Sequence, residues 1–216
     1  ASMYVVQSKY DGKQAYRASL TTKGNSKMDK IFVMRDTLLC YSTTDLAPLY
    51  YRKGALEGER YTVDEVWYSY PSGNCNITQS RLHKDGRRDK RSLSPGECVY
   101  DMMNMFLRAR SFDPANWKSG YVVDFRMADG NSLNPAKLKF LGRTTVKADN
   151  GVKYRCLELS YTEKDKGEWR EIARFFVTDD ANHVPVRLDM FLKFGSAKAF
   201  LTGMKGTRNK ITSKTK

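Results

Sequence analysis

Along most of the chain, apolar and polar residues alternate in short runs broken by turn-forming residues, the period-two pattern of half-buried strands. Ala15 to Leu20 alternates in this way. Lys23-Gly24-Asn25-Ser26 reads as a turn, and Lys30 to Met34 and then Leu38-Leu39-Cys40-Tyr41 read as the next two strands. Tyr61 to Tyr70 is rich in β-branched and aromatic residues that fit a pleated surface, and Pro71-Ser72-Gly73 ends it. Further strands are predicted over 120–127, 137–147, 153–161, 169–177, 184–194 and 196–201. Turn signals at Asp129-Gly130-Asn131, Asp149-Asn150-Gly151, Asp165-Lys166-Gly167 and Asp179 to His183 separate most of them.

One segment changes period. Val99, Met102, Met103 and Phe106 recur at helical spacing with Leu107 beside them. Ser94 is the N-cap candidate, with Pro95 in the first turn and Glu97 at the third position, where the helix dipole favours an acid. Arg108 and Arg110 fall in the last turn, and Asp113-Pro114 stops the helix. The predicted fold class is therefore mainly β: a large antiparallel meander sheet curled into a half-open barrel, with one helix packed against it. No internal stretch has linker composition, so residues 1–204 are read as a single β-rich half-barrel domain and residues 205–216 as a basic, disordered tail.

Four cysteines bear on the compartment. Cys75 and Cys98 flank a hairpin whose turn falls at Asp85-Gly86-Arg87. Positions that pair across such a turn sum to about 172, and these two sum to 173. They are either a candidate disulfide, which would place the protein in an oxidising compartment, or two buried thiols. Cys40 and Cys156 have no such partner. With no Cys-x-x-Cys and no histidine nearby, no metal site is expected.

The net charge of +14 is concentrated in the stretch from Arg81 to Arg91 and in the tail at Lys205, Arg208, Lys210, Lys214 and Lys216. A basic surface concentrates phosphates, anionic lipids or acidic glycans without choosing among them; a solvated hairpin tip and a frayed tail account for it equally. No run approaches the roughly 18 apolar residues that cross a bilayer. The start, Ala1-Ser2-Met3-Tyr4-Val5-Val6, has no signal-peptide pattern, which fits either a cytosolic protein or one whose leader has been removed.

Candidate chemistry is sparse. His83 and His183 are the only histidines, one in the basic stretch and one in a turn, and neither sits in a nucleophile, phosphate-loop or metalloprotease motif. Asp64 with Glu65 point to opposite faces of a strand, and Asp179 with Asp180 belong to a turn. No catalytic residue and no cofactor are expected. The dense apolar cluster Met102, Met103, Met105, Phe106 and Leu107 suits ordinary helix packing. Met102, Met103 and Phe106 also suit the lining of a hydrophobic-ligand site, because methionine adapts to irregular shapes.

Several blocks carry a resemblance. They are Val99-Tyr100-Asp101-Met102-Met103 with Phe106-Leu107-Arg108, Gly142-Arg143 ahead of Lys147, Gly151 and Cys156, Thr178-Asp179-Asp180, Val184-Pro185-Val186-Arg187, and Lys193 through Leu201. In the first half only Thr44 through Tyr50 matches. The chain resembles DUF3108, a family of exported bacterial proteins of unknown function; Asn104 departs from its pattern where a small hydroxyl residue is expected, which leaves a helix-cap role there open. The resemblance implies a removed leader, a periplasmic or cell-envelope location, and a half-barrel similar to YmcC and to the lipoprotein carriers LolA and LolB. The expectation is a non-enzymatic exported protein holding a lipid or lipoprotein acyl chain in its concavity, with its basic surface against an anionic membrane. The rival is an envelope structural or protein-interaction module with no small ligand. Nucleic-acid binding ranks third.

Overall fold

The computed structural model describes residues 1–23, 33–192 and 195–215. Seven strands, β1 (Ser2–Tyr10), β2 (Lys13–Lys23), β3 (Met34–Ser42), β4 (Pro48–Glu57), β5 (Arg60–Ser69), β6 (Cys75–Leu82) and β7 (Arg88–Gly96), pair antiparallel in chain order. A second sheet takes the rest in the order β14-β13-β12-β11-β10-β9-β8. Its members are β8 (Val99–Tyr100), β9 (Val122–Asp129), β10 (Ser132–Lys147), β11 (Lys153–Asp165), β12 (Glu168–Thr178), β13 (Pro185–Leu192) and β14 (Gly195–Phe200). β15 (Lys214–Thr215) adds to β11. The meander expected from strand spacing is thus present but divided in two. The two-residue β8 pairs parallel with β9, and among the described residues neither sheet closes. The predicted turn at 23–26 and most of the predicted strand at 30–34 lie outside the described residues.

The chain forms two compact units, Ala1–Ala109 with Arg126–Asn134, and Arg110–Phe125 with Pro135–Lys216. In the first unit, alternation sends Ala18, Cys40, Tyr51, Val66, Tyr68 and Ile77 to one face of the seven-stranded sheet. The helix α1 (Met102–Ala109) packs there over β2, β3 and β4, bringing Met103 and Leu107 into the same core. Gln79 is fully buried, and its side-chain amide donates to the carbonyls of Gly130 and Ser132, both at 2.9 Å. Gly130 turns this hairpin tip with φ +52°, and a Cβ there would lie 2.5 Å from the Arg81 guanidinium. The positive φ is what calls for glycine in the predicted Asp-Gly-Asn turn, since the Arg81 guanidinium is the far end of a flexible side chain and can move aside.

In the second unit Val146, Tyr154, Cys156, Phe176 and Val186 form a separate core. Residues 205–215, read from the sequence as a basic tail, lie in this unit. Ile211, with Met204 just before the tail, packs on this core. β15 pairs with Lys153 and Tyr154, and the Arg155 amide donates to the Ser213 carbonyl at 2.8 Å. The basic residues hid the signal: Ile211 and Ser213 give the tail one apolar anchor and one buried polar anchor, enough to dock an otherwise solvated segment.

The helix also begins later than predicted. Ser94 to Gly96 end β7, with Gly96 at φ +78°, and α1 starts at Met102. Asp101, not Ser94, is the cap.

Candidate functional site

Asp101 is fully buried and organises the start of α1. Its Oδ1 accepts the backbone N–H of Met103 at 3.0 Å and of Asn104 at 2.9 Å, the arrangement of an N-cap. Its Oδ2 accepts from Asn104 Nδ2 at 2.6 Å and from Tyr68 Oη at 3.0 Å. Burial pushes the Asp101 carboxyl up to about 6, against the opposing pull of the Asn104 and Tyr68 hydrogen bonds. Asn104 thus takes part in the cap directly, through its side-chain amide.

The three candidate lining residues do not share one environment. Met103 is 2% exposed and closed into the core with Leu107, whereas Met102 is 43% exposed. Phe106, half-buried, stands one turn beyond Met102 on the same side of the helix. The spacing that singled them out therefore spans both the packed and the open sides of α1.

Cys75 and Cys98 are free thiols, one buried and one exposed. The hairpin turn lies where expected, with Gly86 at φ +82°. The register, however, sums to 170 from Leu82↔Arg88 through Ile77↔Leu93, and after a bulge Cys75 faces Gly96. Cys98 lies two residues past that partner. Burial raises the Cys75 thiol, raises Cys40 well above its ordinary value, and pushes Cys156, which also lies near Asp179, up to about 12. These three are held as thiols and serve as small core residues.

Arg143, Asp179 and Asp180, from the second-half blocks, line an open groove of about 440 Å³ in the second unit together with Arg110 and His183. Arg110 Nε donates to the His183 carbonyl at 3.0 Å, and its terminal nitrogen donates to the Asn182 carbonyl at 2.9 Å. In return His183 Nδ1 lies 2.8 Å from the Arg110 carbonyl, which can only accept, so Nδ1 carries the proton. His183 holds φ at +44°, a left-handed conformation that this double clasp maintains. Arg143 pairs with Asp179 at 3.3 Å.

Asp180 accepts from Thr178 Oγ1 at 2.9 Å, the Asn182 amide at 3.0 Å and Ser213 Oγ at 2.7 Å. Burial alone would raise its carboxyl, but the hydrogen bonds from Ser213, Asn182 and Thr178 outweigh it and hold the group below the usual range. Asn182 in turn donates to the Asn209 carbonyl at 3.0 Å and accepts the Asn209 amide at 2.9 Å. The acids of this turn are spent on fixing its shape and on docking residues 209–213. His83, the other histidine, meets Asp89 at 2.7 Å in the β6–β7 turn region.

Two elements absent from the sequence reading, β1 and β4, complete the first sheet. β1 is paired with β2 from Ser2↔Thr21 to Tyr10↔Lys13 through a two-residue Asp11-Gly12 turn, with φ +47° and +77°. That Asp-Gly dipeptide between apolar runs is the signal that could have found it. β1 ends the sheet, and Tyr4, Val5 and Val6 are 63%, 41% and 49% exposed. At the opposite end β7 carries Arg88, Asp89, Lys90, Arg91 and Pro95, the composition of an edge guarded against pairing.

No curated protein and no solved structure matches the chain. The family model described as "Protein of unknown function (DUF3108)" matches residues 1–202, and the chain belongs to that family.

Proposed function

We propose that this protein is a non-enzymatic binding module of the bacterial cell envelope that takes an extended segment of a partner protein onto β1. The observation that carries this reading is a nine-residue edge strand, free of proline, that exposes apolar side chains on both its faces. Strand addition would supply main-chain hydrogen bonds along β1 and pack partner side chains on Tyr4 and Val6. With a chain charge of +14, the fitting segment is apolar with acidic residues interspersed. The packed helix face of the same sheet supports a module without an internal ligand, since Met103, Leu107, Cys40 and Val66 fill it.

A photo-crosslinking residue at Tyr4, in protein expressed in its own host, should yield one discrete adduct with another protein. Val6→Lys, which charges the edge, should abolish that adduct while leaving the fold intact by circular dichroism. An adduct that persists in Val6→Lys, or that forms equally from a crosslinker at Lys90 on β7, would argue against β1 as the contact.

Carriage of a lipid or lipoprotein acyl chain is the second reading, supported by the exposed Met102 with Phe106 one turn on. A fatty-acid probe whose fluorescence rises on mixing, and falls with Met102→Asp, would favour it.

A further inference from the structure

The seven-stranded sheet has two faces of different chemistry. On the helix side the acids Asp36, Glu57, Asp64 and Asp89 sit with the core and with cations that balance them, among them Lys53, Arg60, Arg81 and Arg91. The register places Lys13, Arg17, Arg52, Arg88 and Lys90 on the opposite face, where Glu65 is the acid among the described strand residues. Glu65 is already engaged, accepting from Tyr50 Oη at 2.7 Å and from Arg88 at 2.9 Å. Among the described residues, Lys13, Arg17 and Lys90 have no carboxylate partner.

The same face carries an aromatic row. Tyr41, Tyr50 and Trp67 are cross-strand neighbours, and Tyr10 joins them. Ring centroids lie 5.2 Å apart for Tyr10–Tyr41, 6.3 Å for Tyr10–Tyr50 and 5.6 Å for Tyr50–Trp67. The row continues in register through Thr78 to Ser92, whose hydroxyls lie 3.1 Å apart. There it enters a groove of about 380 Å³ that Ser69, Asn76 and Ser94 also line. From β3 to β7 it crosses four inter-strand steps, about 19 Å at normal sheet spacing.

We infer that this face binds an acidic polysaccharide. Uronate or other acid groups of such a chain would meet the unpaired cations, its sugar faces would lie on the half-buried rings, and its hydroxyls would exchange hydrogen bonds with the Ser, Thr and Asn side chains of the groove. A single-stranded nucleic acid fits less well. Beyond Trp67 the groove offers hydroxyls and an amide where successive splayed bases need further rings. This proposal rests on other groups than the β1 contact, whose Tyr4 and Val6 lie at the edge of the same face, Val6 opposite Arg17.

The test is calorimetric titration with polygalacturonate oligosaccharides at low salt, against neutral dextran oligomers, oligothymidylate and phosphatidylglycerol vesicles. Polygalacturonate should bind, with affinity falling as salt rises, and dextran should bind far more weakly. Trp67→Ala and Lys90→Glu should each weaken binding by about tenfold, while Lys139→Glu, in the other unit, leaves it unchanged. Lys90 is exposed, so Lys90→Glu should keep the wild-type unfolding midpoint even where Trp67→Ala does not fold. Absence of polygalacturonate binding, or binding indifferent to both variants, would overturn the proposal. So would tighter binding of oligothymidylate or vesicles that both variants weaken, since the face would then belong to that ligand. Crosslinking from Tyr4 should persist in Lys90→Glu, which separates failure here from failure of the β1 reading.

Discussion

Asp101 combines full burial with four accepted hydrogen bonds, so its ionisation is linked to folding. Its carboxyl stands at about 6 in the fold against 3.8 for the free group. The folded state therefore holds a proton that the unfolded chain gives up between those values, and its contribution to stability is present below pH 4 and lost as pH rises through 6. A shift of that size corresponds to about 3 kcal/mol. Urea unfolding of the wild type and Asp101→Asn at pH 4, 5, 6 and 7 should show the difference between them changing across this window and level above it. A constant offset would show that Asp101 does not titrate there. The cysteines give a second residue-scale prediction. Ellman's reagent should label Cys98 in the native protein and reach Cys40, Cys75 and Cys156 only after unfolding, because those three are 2% exposed or less. A native protein with no reactive thiol would restore the Cys75–Cys98 bridge. The sequence placed the turn between these cysteines correctly. It could not show the bulge on β7 between Leu93 and Gly96, since a one-residue irregularity leaves no mark on an alternating pattern.

At the scale of elements, what was legible followed from strong local signals. The strands from β9 to β14 were found because turns rich in Asp, Asn and Gly punctuate most of them, and β5 because its β-branched and aromatic residues are dense. β1 escaped because Tyr4, Val5 and Val6 expose apolar groups on both faces and blur the alternation, and β4 because Tyr50 and Tyr51 are adjacent on opposite faces. The start of α1 was misplaced because Ser-Pro-Gly-Glu resembles a helix start, while the Asp101 cap depends on Tyr68, 33 residues away. Residues 205–215 show the same limit in reverse, since what anchors them is the distant Asp180. Ser213 Oγ and its amide both donate to Asp180 Oδ2, at 2.7 and 3.2 Å. Removing the hydroxyl with Ser213→Ala leaves a partly buried carboxylate short of a donor, at a cost of about 1–3 kcal/mol. Hydrogen exchange should then quicken at 209–215 and at Asn182 before it changes in the strands. Unaltered exchange in the tail would mean that Ile211 and β15 hold it without Asp180.

For the whole molecule, the net charge of +14 suggested basic clusters at a hairpin tip and a tail, whereas the register places cations on both faces of the first sheet and sorts the acids, leaving Glu65 alone among the described strand residues of the outer face. That sorting was beyond a reading that did not contain β1 or β4, because the outer face exists only when Tyr50 and Arg52 take their places between β3 and β5. The two cores are equally a product of pairing: Met103 and Leu107 close the first, and Tyr154, Phe176 and Val186 close the second. Each core is built from residues of its own unit, so damage to one should register there first. Leu107, 6% exposed, belongs to the first, and Leu107→Ala should destabilise that unit by about 2–5 kcal/mol through lost burial and an unfilled cavity. Native-state hydrogen exchange should rise in β2 through β6, whose inward residues surround the helix, while the β11 and β12 amides around Tyr154 and Phe176 keep their protection. A uniform loss of protection across both sheets would mean that the chain unfolds as one cooperative body, and that the continuity of β9 and β10 through both units outweighs the separation of their cores.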